Sequence, residues 1–112
     1  MATQLPLNVF KTKAFELTTS EQTIYTTPTG ITTIVLGAQA SNISANSATI
    51  TFTLRKNNTD YIMLKEFPIP PNDAAEVTTG KLVIEEGASV KAVVSTNSAI
   101  NLVMSILETS NE

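Results

Sequence analysis

Between Ala48 and Arg55 the chain reads ATITFTLR, and every second residue is apolar. Successive side chains of a β-strand point to opposite faces. Ala48, Ile50, Phe52 and Leu54 are therefore expected to face a core, while Thr49, Thr51, Thr53 and Arg55 face outward. No stretch of the chain holds a helical period for three turns, which argues against crossover helices and parallel sheets. The fold has to be built from strands of this kind, joined by turns.

The turns are legible as clusters of Pro, Gly, Asn, Asp and Ser. Gln22–Thr26 alternates and stops at Pro28-Thr29-Gly30. Residues 31–41 follow, apolar on both faces around Ile34, Val35 and Leu36, the pattern of a central strand with Gly37 as a bulge. After the polar loop 42–46 and the ATITFTLR strand, Lys56–Asp60 is a turn and residues 61–67 return as the partner strand. Pro68, Pro70 and Pro71 remove backbone donors, so their segment is a connection or a sheet edge. Residues 74–77 make a short strand. KLVIEEGASVKAVVS (81–95) has the form of a hairpin turning at Glu85-Glu86-Gly87, and residues 100–107 close the domain. About eight strands at this spacing predict an all-β, two-layer antiparallel β-sandwich, jelly-roll or immunoglobulin-like in topology.

Residues 1–14 are set apart as an N-terminal arm, with the sandwich over 15–108 and a fraying end at 109–112. Leu5, Leu7, Val9 and Phe10 are too apolar for a solvated tail. They are expected either to form an edge strand on their own domain or to lie on a neighbouring subunit, and they are the candidate interface residues.

The chemistry open to the chain is narrow. With 112 residues and no cysteine it has neither disulfides nor thiolates, and with no histidine it lacks the usual general base. Lys65, Lys81 and Lys91 fall in or beside alternating strands and read as solvated. Glu85 and Glu86 are neighbours pointing opposite ways, so they do not share a proton or a ligand. Asp60 and Asp73 sit in turns, where short polar side chains bond local backbone. No catalytic, cofactor or metal site is expected, and no small-molecule substrate. A net charge of −3 without a basic cluster argues against nucleic acid. No apolar run approaches the roughly 18 residues of a membrane span. Tyr61 is expected to pack its ring in the core with the hydroxyl at the rim; exposed, it would suit a glycan-binding surface.

The order of several segments adds to this. TTSEQTIYTTPTGITTIVLGAQASN, followed by a turn-rich hairpin and by FPIPPNDAAEVTTGKLVIEEGASVKAVVSTNSAINLVMSILE, resembles small virion structural proteins of tailed bacteriophages over about residues 16–108. The chain departs from that pattern at Glu86 and Ala88 around Gly87. The resemblance implies a non-enzymatic building block, present in many copies on the virion as a capsid decoration or as a neck or tail accessory protein. Its partners would be further copies of itself or other virion proteins. A module binding host-surface glycan or receptor is the alternative.

Overall fold

The computed structural model describes residues 8–78 and 80–111, and among them it contains nine strands and no helix. These are β1 (Asn8–Glu16), β2 (Gln22–Thr26), β3 (Ile31–Asn42), β4 (Ala48–Lys56), β5 (Thr59–Ile69), β6 (Ala74–Glu76), β7 (Leu82–Ile84), β8 (Ser89–Val94) and β9 (Ile100–Ser110). One sheet runs β1-β9-β3-β6, with β7 also against β3; the other runs β2-β8-β4-β5. Every pairing is antiparallel.

The pairing has a simple logic. β1 lies on β9, β2 on β8, β3 on β6 and β7, and β4 on β5. The chain is thus one long ribbon turned back at the β4–β5 hairpin and rolled so that successive pairs fall in alternate sheets. That is a jelly roll, which decides between the two topologies open from the sequence.

The core lies between the sheets. Ile100, Leu102, Met104 and Ile106 of β9 are fully buried, as are Ile50 and Phe52 of β4 and Val90 of β8. Ala48 is buried with them, and Leu54 packs half-buried at the core's edge, so β4 presents the expected face inward. β3 is central in its sheet, and its register slips between Val35 and Gly37, a bulge at the expected glycine. At Pro28–Ile31 the Ile31 amide donates to the Pro28 carbonyl (3.2 Å), with Gly30 at φ 81°. Asn57 and Asn58, at φ 54° and 61°, form the two-residue β4–β5 turn. This left-handed pair matches the natural twist of the strands it joins.

Three expectations need correction. Residues 81–95 are not a hairpin: β7 lies on β3 in one sheet, while β8 lies between β2 and β4 in the other. The Glu85–Gly87 turn is an arch from sheet to sheet. Its inner groups are taken by Thr27, whose amide donates to the Ala88 carbonyl (3.0 Å), whose carbonyl accepts from the Gly87 amide (3.2 Å) and whose hydroxyl donates to the Ile84 carbonyl (3.1 Å). A turn fixes a reversal of direction but not the sheet that the next strand joins. The sandwich also begins earlier and ends later than residues 15 and 108. β1 and β9 are in register from Asn8↔Thr109 to Glu16↔Asn101, and Ser110 still pairs with Ile31. Finally, Tyr61 is 55% exposed. It lies opposite Leu54 on β5, the last strand of its sheet, where Leu54 itself is only half-buried.

Candidate assembly surfaces

The outer faces of the two sheets are chemically unlike. On the β2-β8-β4-β5 sheet, Lys91 reaches Asp60 (2.8 Å) and Glu21 (3.1 Å), and Arg55 pairs with Asp60 (2.7 Å). The Lys91 side chain is only 12% exposed, so it is a tethered cation rather than the solvated one expected. Hydrogen bonds from Lys91 and then Arg55 hold the Asp60 carboxyl below its ordinary range, and the bond to Asp60 raises Lys91 in turn. Thr53, opposite Lys91 on the neighbouring strand, is buried although it faces outward. This face meets water as a network of fixed charges, with Ile62, opposite Thr53, exposed at its β5 edge.

The outer face of the β1-β9-β3 sheet carries none of this. Directly opposed residues of antiparallel strands share a face, so the register gives the rows. Phe10 opposes Leu107, Leu107 opposes Ile34, and Ile34 opposes Val83: one apolar row across four strands. Phe10 is 72% exposed and Val83 54%. The next row is small, Thr12–Ser105–Gly37, and the one beyond it runs Ala14–Val103–Gln39–Glu76. Exposed Leu36 and Val103 widen the patch. Two shallow grooves follow β1, one of about 270 Å³ by Phe10, Thr12, Leu36 and Ser105, the other of about 280 Å³ by Ala14, Glu16, Asn101 and Val103. No Lys or Arg of the described strands stands on this face; its charges are the carboxylates Glu16 and Glu76 at its margins.

Of the candidate interface residues, Leu5 and Leu7 lie outside the described residues. Val9 and Phe10 take opposite sides of β1. Val9 faces inward, half-buried opposite Glu108, and Phe10 stands on the outer face.

The two long free edges are guarded. β1 points Lys11 and Lys13 to its core side, opposite Ile106 and Met104. β5 breaks register twice, places Glu66 at φ 48° and includes Pro68. Inward charges, bulges and proline are devices that stop an edge from adding another strand.

One polar cluster is buried between the sheets, and the sequence reading missed it. Tyr25 of β2 donates its hydroxyl proton to Glu108 of β9 (2.5 Å). The phenol has a single proton, so Thr33 of β3 must be the donor in its 2.7 Å bond to the Tyr25 oxygen. Lys11 closes the cluster with an ion pair to Glu108 (2.9 Å). Burial, together with the bond to Glu108, pushes the Tyr25 phenol up to about 12. The bond from Tyr25, aided by Lys11, holds Glu108 below the usual carboxylate range. One carboxylate already bonded by a phenol and an ammonium has no free base to offer. The cluster ties three strands of one sheet to the other. Among the described residues no three carboxylates gather to hold a metal ion.

No family model matches the sequence, and no curated protein matches it significantly. Solved structures do. A chain from the acidic stable capsid of Helicobacter pylori bacteriophage KHP30 superposes with a TM-score of 0.54 at 9% identity, over 96% of this chain and 90% of that one. A chain from Bacillus endospore appendages, a family of disulfide-linked pili, gives 0.54 at 12%, over 100% and 96%. A pentameric capsid protein from metagenomic phage sequences gives 0.46 at 18%, over 96% of this chain and 64% of that one. The likeness is one of fold. It spans the whole sandwich rather than one motif.

Proposed function

We propose that this chain is a bacteriophage virion structural protein, working without catalysis and in many copies on the particle as a capsid decoration or as a neck or tail accessory protein. The observation that carries the reading is the apolar outer face of the β1-β9-β3 sheet, charged only at its margins, set on a jelly roll of the kind found in a phage capsid chain. Monomeric proteins rarely leave so continuous a patch uncovered, and such patches mark interaction sites. Phe10, with Leu5 and Leu7 before it, is the proposed interface segment, and Val9 anchors it to the sandwich. The pilus likeness favours polymer building as well, but a chain without cysteine cannot be cross-linked by disulfides.

The test is incorporation. Particles purified through a density gradient should contain the chain at a fixed ratio to the major capsid protein. Phe10→Asp, or deletion of residues 1–7, should lower that ratio at least about tenfold while the free protein stays folded. Absence of the chain from purified particles would end the reading.

Glycan or receptor binding remains as a second reading because the Tyr61 ring is exposed beside the Asn57–Asp60 turn. Retention on host cells or a glycan array that Tyr61→Ala abolishes would support it. No retention of the intact protein would remove it.

A further inference from the structure

We propose that two copies of this chain pack face to face through the outer side of the β1-β9-β3 sheet. Their two-fold axis lies in the interface, along the row Thr12–Ser105–Gly37. The proposal deepens the assembly reading above and rests on it for its setting on a particle.

The register defines what meets what. Rotation about that row reverses the strand direction and lays β1 on β1 and β9 on β9. Phe10 of each copy then covers Ala14 of the other, and Leu107 covers Val103. Large side chains thus fall on smaller ones, and the small Thr12 and Ser105 sit on the axis, where the two backbones come closest. The groove beside Ala14 and Val103 is the receptor for Phe10. Glu16 falls over Asn8, whose amide can donate to it, and Glu76 falls near Val83 of the row opposite. No carboxylate lands on its own image. Glu16 and Glu76 are the charges on this face, and in this arrangement both stand away from their own images, so the face meets itself without a close like-charge contact.

The area is adequate. Four strands about 4.8 Å apart and the nine residues of β1 at about 3.3 Å each cover roughly 600 Å² per copy. The pair buries roughly 1,200 Å², above the roughly 1,000 Å² expected of a specific interface. The free edges are guarded, which leaves the face rather than strand addition as the route to a second copy.

The chain has no cysteine, so single introduced thiols report cleanly. Facing sheets lie about 10 Å apart, within reach of a short bis-maleimide. Purified Thr12→Cys and Ser105→Cys should each cross-link to a dimer, at least tenfold more than Thr23→Cys on the other sheet. Phe10→Cys should cross-link when mixed with Ala14→Cys but not to itself, because its own image is four residues away, about 13 Å along the strand. Phe10→Asp, at a position already exposed, should abolish the Thr12→Cys product and leave the circular dichroism unchanged. Sedimentation showing a monomer at all concentrations, with Thr12→Cys no better than Thr23→Cys, overturns the proposal and assigns the face to a different protein. A dimer that survives Phe10→Asp overturns it too. These results come from the purified chain, so they fail or succeed independently of whether the chain is found in particles.

Discussion

Among the described residues Glu108 is the only buried carboxylate, and its partner Tyr25 comes from the opposite sheet. Each partner favours a different protonation state, and the two signs can be worked out. Glu108 titrates lower in the folded chain than in the unfolded one. Its contribution to stability is therefore full above the unfolded value and lost as pH falls through the folded one. Tyr25 is shifted the other way. Its contribution is full below the ordinary phenol value of about 10 and is lost as pH rises toward about 12. The chain has two tyrosines, so Tyr61→Phe isolates Tyr25. In that variant phenolate absorbance should rise near 12; a rise near 10 would mean that the hydroxyl faces water. Tyr25→Phe should cost about 1–3 kcal/mol in urea unfolding, the worth of a hydrogen bond to a charged group. This cluster was within reach of the sequence. Ile100, Leu102, Met104 and Ile106 set an inward parity on β9, and Glu108 continues it. An acidic residue near the end of a strand is usually solvated, and only a partner on another element makes burial tolerable. That partner is 83 positions away.

Strands were legible where alternation was local. β4 lies where its pattern puts it, because one buried face and one outer face dictate period two, and β2 also has the expected bounds although a register slip between Thr23 and Tyr25 buries both Ile24 and Tyr25. Partnership between strands was less legible. The Glu85–Gly87 arch has the composition of a hairpin, and only the pairing of β7 with β3 and of β8 with β2 and β4 shows that it crosses between sheets. Gly87 is at φ 84°, and a Cβ built there meets nothing within 4 Å. Gly87→Ala should therefore cost only the left-handed backbone penalty, about 1–2 kcal/mol. Gly87→Asn should cost less, because asparagine tolerates that conformation. Thermal unfolding of the two variants checks both; equal losses would point to a lost packing contact instead. Tyr61 failed in the sequence for a related reason. Its ring takes the parity of the core, but β5 is an edge, and parity does not say how far the opposite sheet reaches.

At the scale of the molecule the two outer faces divide the work. The β2-β8-β4-β5 face binds its charges to one another and exposes Ile62 only at its β5 edge; the β1-β9-β3 face has almost no charge to hydrate. The division follows from strand parity: β1 and β9 turn Lys11, Lys13 and Glu108 to the core side and leave Asn8, Thr12, Asn101, Ser105 and Thr109 outside with Glu16 at the margin, while β4, β5 and β8 carry Arg55, Asp60 and Lys91. It makes the response to salt diagnostic. Attraction between exposed charges is screened beyond about 10 Å at 0.1 M ionic strength and more strongly above it. Apolar burial is not weakened this way, and sulfate strengthens it. The dimer dissociation constant, followed by sedimentation from low to high sodium chloride, should therefore change by less than about threefold, and sulfate should tighten it. A fall in affinity of tenfold or more with salt would mean that the copies meet through charged residues. The apolar rows of β1, β9 and β3 would then have to be covered by another protein.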